Sequence, residues 1–148
     1  MGPQDFQFGS VLERGTMYKF TSPLSITLPR KTKKDVNKGL NLNTYRNINF
    51  ILNNQMKVIY KEMFKEQLVG VKIPTPCKIT YTYFANSARK SDISNMCVVI
   101  DKFFCDCLTE FECIPDDNYD FVKEVVYLFG GVDKGKGRVE IIIAELFK

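Results

Sequence analysis

Between Ile93 and Phe111 the apolar residues step at the spacing of an α-helix, and this run lies between segments that read as strands. Ile93, Met96, Ile100, Phe103 and Cys107 fall within a narrow arc at about 100° per residue, and Phe104 widens it. A helix with one such face must bury it against another layer. The flanking segments supply that layer. "CKITYTYFA" (Cys77 to Ala85) is rich in β-branched and aromatic residues, follows two prolines and reads as a strand. "DFVKEVVYLFGGVDKGKGRVEIIIAELF" reads as a β-hairpin, Val122 to Phe129 pairing with Arg138 to Leu146 across a glycine-rich connection.

Upstream the alternation continues. Met17 opens the strand-like run "MYKFTSPLSITLP", in which "LSITLP" alternates around Ile26 and Leu28 and stops at a proline. From Asn47 to Val69 a second helical period carries Ile48, Ile51, Leu52, Met56, Ile59 and Met63 on its expected apolar face, and Gly70 marks its end. The order is strand, helix, strand, helix, strand, strand. It predicts an α/β (α+β) domain with a single mixed β-sheet packed against two main helices.

A chain of 148 residues suffices for one compact domain. Its 45% apolar and 26% charged residues place it among globular chains. No run approaches the roughly 18 apolar residues of a membrane span. Residues 1–16 lack both the basic start and the apolar block of a signal peptide and read as an expression tag or disordered leader, leaving residues 17–148 as the domain. Setting them aside removes Asp5, Glu13 and Arg14 and moves the net charge from +4 to +5.

Five cysteines without a secretory signal point to a reducing, cytoplasmic setting. Cys97, Cys105, Cys107 and Cys113 crowd one segment, but no CxxC pair occurs, and Cys105 and Cys107 lie about 200° apart around a helix. Buried free thiols are expected instead of a zinc cluster. The chain has no histidine, which removes Ser-His and Cys-His nucleophiles. Any catalysis must run on carboxylates, lysine, hydroxyls or a bound metal.

Two features carry chemistry. Arg30, Lys31, Lys33, Lys34 and Lys38, set against Asp35, give +4 in nine residues. This is either a solvated loop or a phosphate-binding segment whose asparagines and Tyr45 add hydrogen bonds and stacking. The second feature is acidic. Asp92 stands where the N-cap of the Ile93 to Phe111 helix belongs, and "IPDDNY" follows that helix. Each has a structural explanation, a cap and a turn. Together with Asp101 and Asp106 they also offer oxygens of the kind that Mg²⁺ and Mn²⁺ favour.

The run "RKSDISN … DKFFCDCLTEFECIPDDNY" resembles the RusA family of Holliday junction resolvases, in particular its phage-borne members. The family pattern is Arg-x-x-Asp-hydrophobic-Asp-Asn, a helical lysine, an Asp-Ala-Leu-like step and a final Asp-Asp pair. The resemblance covers roughly Leu24 to the C-terminus. It matches Asp92 to the first aspartate, Asn95 to the asparagine, Lys102 to the lysine and Asp117 to the final catalytic aspartate, with Asp116 its neighbour and Arg89 among the basic residues ahead of the motif.

Two departures stand out. Ser94 occupies the second aspartate's position, and four more residues separate Asn95 from Lys102 than in the shorter family pattern. That extra turn, roughly 6 Å of helix, brings in Asp101 about 20° from Ser94 around the helix and some 10 Å further along. Asp101 is the expected replacement carboxylate.

The resemblance implies a homodimeric, Mg²⁺- or Mn²⁺-dependent endonuclease for branched DNA such as Holliday junctions, in the cytoplasm of a bacterial or phage-infected cell. No membrane and no nucleotide cofactor is expected. Asp92, Asp101 and Asp117 would hold the metal, Lys102 would neutralise charge at the phosphate, and Arg30, Lys31, Lys33, Lys34, Arg89 and Lys90 would hold flanking phosphates. The rival expectations are a branched-DNA or single-strand binder that has lost catalysis, as Ser94 allows, and a phage assembly domain whose acidic groups are only caps and turns.

Overall fold

The computed structural model describes residues 6–8 and 11–147, with side chains described for 17–146. Among the described residues, seven strands and three helices follow one another as β1 (Phe6–Phe8), β2 (Val11–Ser22), β3 (Ser25–Leu28), β4 (Val36–Gly39), α1 (Leu42–Asn47), α2 (Phe50–Leu68), β5 (Cys77–Ala85), α3 (Ile93–Glu110), β6 (Val122–Val132) and β7 (Arg138–Phe147). Five strands form one mixed sheet in the order β1-β2-β7-β5-β6, and β3 pairs with β4 in a separate ribbon. The α+β class with one mixed sheet against two main helices is what the molecule shows. The expected domain start at Met17 falls inside β2, next to a register shift between Glu13 and Met17.

The expected hairpin does not form. β5 lies between β6 and β7, running parallel to β6 and antiparallel to β7. A chain that leaves β5, makes α3 and returns can place its next strand parallel and adjacent to β5, as crossover connections do. β7 then takes the other side of β5. The glycine-rich connection therefore spans one strand instead of turning tightly.

Register fixes which side chains meet the helices. Phe20, Ile141, Tyr81 and Tyr127 stand directly opposite one another across four strands, so they share a face. Phe104 of α3 packs on Phe20, their rings 5.3 Å apart. The neighbouring row begins at Ser22, whose hydroxyl accepts a 2.8 Å bond from Tyr60 of α2. Both helices thus cover one face of the sheet, and the core lies between them and the strands.

α2 is turned from its expected orientation. Its buried residues are Met56, Tyr60, Phe64 and Leu68, whereas Ile51 and Met63 are 66% and 46% exposed. Tyr60 and Phe64 carry the largest apolar areas and stack on Phe103 and Phe104 of α3. Their burial outweighs that of the smaller aliphatic stripe about a quarter-turn away. The polar segment ahead of α2 holds β4 and α1 as well as loop. Asn41 and Asn49 cap α1 and α2, their side chains accepting from Thr44 and Leu52.

α3 ends as a helix that must turn back on itself. Glu112 takes φ 59°, and the Cys113 and Glu112 amides donate to Leu108 and Thr109 at 2.8 and 3.0 Å. This paired closure satisfies the last carbonyls and reverses the chain. Cys113 is then held by Ile73, whose amide donates to its carbonyl, and by its own thiol, which donates to Leu68. All five cysteines are buried free thiols. Among the described residues no helix is long and apolar enough to cross a membrane.

Candidate functional site

α3 carries acidic groups at both ends and at its middle, and each sits in different surroundings. At the N-terminus, Asp92 is the N-cap residue, yet its side chain makes no capping hydrogen bond. The carboxylate is exposed in a hollow of about 530 Å³ that it shares with Arg89, Lys90, Asn95 and, from the α1 region, Asn41 and Asn43. The unspent first-turn amides of a helix favour negative charge, and two cations and three side-chain amides surround them here. Ser94 is exposed on the first turn.

Asp101, at the middle of α3, faces the sheet. Its Oδ1 accepts from the Tyr81 hydroxyl at 2.7 Å and the Cys105 thiol at 3.3 Å, and its Oδ2 accepts from the Tyr127 hydroxyl at 2.6 Å. Burial first, then the neighbouring Cys105 and Asp101, push the Tyr81 phenol well above its ordinary range, and burial followed by the hydrogen bond to Asp101 and its charge does the same to Tyr127. They are donors at every physiological pH. Asp101 is therefore a carboxylate tying helix to sheet, and this corrects its expected role as a replacement metal ligand. Lys102, next in sequence, is exposed.

At the C-terminal half the reversed chain lays Asp116 and Asp117 against α3 and α2. A cleft of about 410 Å³ there holds Asp106, Glu110, Asp116 and Asp117 with Lys57 and Lys61 of α2. Lys61 pairs with Glu110 at 2.6 Å. Asp116 accepts from the Asp117 amide at 2.7 Å and from Asn118 at 2.9 Å, which lowers its proton affinity. Asp117 is pushed the opposite way, by burial first and then by its hydrogen bond with Asp116 and the negative charge of Asp116 and Asp106. Two adjacent carboxyls with proton affinities driven apart are the arrangement that acid–base chemistry uses.

The three aspartates expected to share an ion are not brought together within one chain. Asp92 and Asp106 are fourteen residues apart on α3, roughly 21 Å of helix axis, and Asp117 lies at the Asp106 end. A divalent ion needs its oxygens within about 2.0–2.6 Å. Among the described residues no group of three His, Cys, Asp or Glu side chains is placed to hold a metal. The fit to a single-chain Mg²⁺ or Mn²⁺ site fails on that distance and on the commitment of Asp101 to two tyrosines.

The basic residues divide as well. Arg89 and Lys90 line the Asp92 hollow, whereas Arg30, Lys31, Lys33 and Lys34 are exposed on the β3–β4 connection, where Arg30 donates to the Lys34 carbonyl at 2.7 Å. No family model matches the chain, and no curated protein matches it.

Sequence reasoning missed Tyr81 and Tyr127, because tyrosines at alternate strand positions look like ordinary core. It also missed Lys57 and Lys61. Their spacing of four on the polar side of α2 is the signal that marks them as one cationic face.

Proposed function

We propose that this chain is one half of a homodimeric, structure-selective endonuclease acting on branched DNA such as Holliday junctions. The observation that carries the proposal is the Asp92 hollow: an Asp at a helix start, not used as a cap, among Arg89, Lys90 and three asparagines. A cap explains an Asp at such a position when its carboxylate takes a backbone N–H. Here it does not, and the surroundings suit a phosphodiester strand. The motif order from Arg89 to Asn118 supports the same reading.

In this proposal Arg89, Lys90, Asn41 and Asn43 bind and orient the DNA backbone, contacts that read charge and shape without reading bases. The basic β3–β4 connection holds flanking phosphates. Asp117, with its raised proton affinity, is placed to accept a proton beside the ionised Asp116. Mg²⁺ or Mn²⁺ would supply Lewis-acid stabilisation of the phosphate when bound. The two ends of α3 are too far apart for one chain to hold such an ion with Asp92 and Asp117, so the ion enters the proposal only through a second copy.

The separation of the aspartates and the serine at position 94 favour one alternative, a junction-binding protein without cleavage. A four-way junction assay in Mg²⁺ decides between them. The nuclease cuts the junction, and Asp117→Asn abolishes cutting while leaving binding. Binding without cutting establishes the alternative, and undiminished cutting by Asp117→Asn ends the assignment of Asp117.

A further inference from the structure

The side of α2 turned away from the core is apolar where a solvated helix would be polar. Ile51 and Val58 are 66% and 61% exposed. Seven residues apart, they stand about 20° from each other around the helix and roughly 10 Å apart along it, with Asn54 and Gln55 between them. All four line a groove of about 460 Å³, together with Ile59 and, from the end of β3, Pro29. Contiguous exposed apolar surface of this kind marks an interaction site.

The surroundings of the groove carry one sign of charge. Pro29 leads directly into the β3–β4 connection, where Arg30, Lys31, Lys33 and Lys34 are exposed beside a single carboxylate, Asp35. None of these four cations forms an ion pair among the described residues. The part of α2 that lines the groove, from Phe50 to Lys61, holds Lys57 and Lys61 and no acidic residue. Lys61 is taken up by Glu110, so the free charge beside the groove is on Lys57 and the connection.

We infer that this groove docks an acidic amphipathic helix of a partner protein, its apolar anchors seated on Ile51, Val58 and Pro29 and its carboxylates facing the β3–β4 connection. Such helices present anchors at three-, four- and seven-residue intervals, and seven residues of helix span the roughly 10 Å between Ile51 and Val58. Asn54 and Gln55, polar residues inside an apolar seam, would fix the register of the partner. A DNA backbone satisfies the cations alone. It brings nothing apolar to fill the hollow, and bases stack on aromatic faces, of which the lining has none. A second copy of the chain is disfavoured by its net charge of +4. The inference stands apart from the nuclease reading. The two meet only at the basic connection, which holds flanking phosphates in that reading and where a docked helix and DNA would compete.

Fluorescence anisotropy on the full chain tests the groove. The probe is a labelled peptide of about 20 residues, long enough to be helical, with leucines at three- and four-residue spacing and glutamates elsewhere. It should bind about tenfold tighter than the same composition with the leucine order scrambled, and tighter by at least as much than the version with lysine for glutamate. Ile51→Ser with Val58→Ser should lose about tenfold in affinity. Both side chains are exposed, so the melting temperature of that variant should stay near that of the wild type. Met63→Gln, exposed on another side of α2, should bind as the wild type does. Lys31→Ala with Lys33→Ala should weaken binding and flatten its dependence on salt.

Failure of the glutamate peptide to bind overturns the inference. Equal binding of the scrambled peptide does so too, because charge alone would then suffice. Undiminished binding by the serine pair removes the groove from the interaction. If the serine pair instead weakens binding to a DNA duplex, the groove belongs to DNA and the partner helix is discarded. None of these measurements reads DNA cleavage, so a chain that cuts no junction leaves their outcome unchanged.

Discussion

At the scale of single residues, Asp101 shows how a carboxylate turned from a helix toward a sheet becomes structural. Tyr127→Phe removes the donor to its Oδ2. A hydrogen bond to a charged group contributes about 1.5–3 kcal/mol, and urea unfolding should show a loss at the low end of that range, since Tyr127 is only half-buried. Tyr81→Phe, fully buried, should lose more. Asp117 behaves in the opposite sense. Its folded proton affinity is raised, so the stability it contributes is present below the unfolded carboxyl range, near pH 3.9, and is lost as pH rises through the raised folded value. Asp117→Asn should therefore melt no lower than the wild type at pH 7, and any advantage should vanish below about pH 4. A melting-temperature series against pH measures this. A group costly to stability at neutral pH fits a functional role better than a structural one. The thiols make a third test. Burial pushes Cys77 to about 11 and Cys97 and Cys107 to about 12. The native protein should therefore react slowly with thiol reagents at pH 8 and take up five equivalents once unfolded.

At the scale of elements, α3 was the most legible segment and its neighbours the least. Its limits follow from a sustained apolar period, a starting Asp and a closing turn, all local signals. α2 has two apolar stripes. Which one is buried depends on where Phe103, Phe104 and Ser22 stand, so its rotation could not be read from Asn47 to Val69 alone. The hairpin misassignment has the same origin: strand pairing is long-range, and adjacency in sequence competes with the crossover through α3. The start of α3 also carries a prediction. If the Asp92 hollow holds DNA phosphates, Arg89→Ala and Lys90→Ala should each weaken binding to all sequences and lower the slope of log affinity against log salt by about 1. Unchanged slopes would remove these residues from the interface.

For the whole molecule, the distance between the ends of α3 decides how a site can be built. If Asp92 and Asp117 act together across a two-fold axis, inactive Asp92→Asn and Asp117→Asn proteins mixed and allowed to exchange should regain junction cleavage. One of the two sites in each heterodimer then has both aspartates. If the residues act within one chain, every site in the mixture lacks one of them and cleavage stays absent. Gel analysis of a labelled four-way junction reads the result.

The sequence by itself determined the class of fold, the limits of α3, the burial of the cysteines and the identity of the acidic and basic residues worth following. These rest on periodicity, composition and spacing, which act within a few turns of chain. Only the tertiary structure decided the rest. It put β5 between β6 and β7, turned α2 onto its aromatic face, gave Asp101 to two tyrosines, and left Asp92 and Asp117 at opposite ends of a helix. Each of those outcomes depends on which distant surfaces meet, and contacts between residues far apart in sequence leave no periodic trace in either segment.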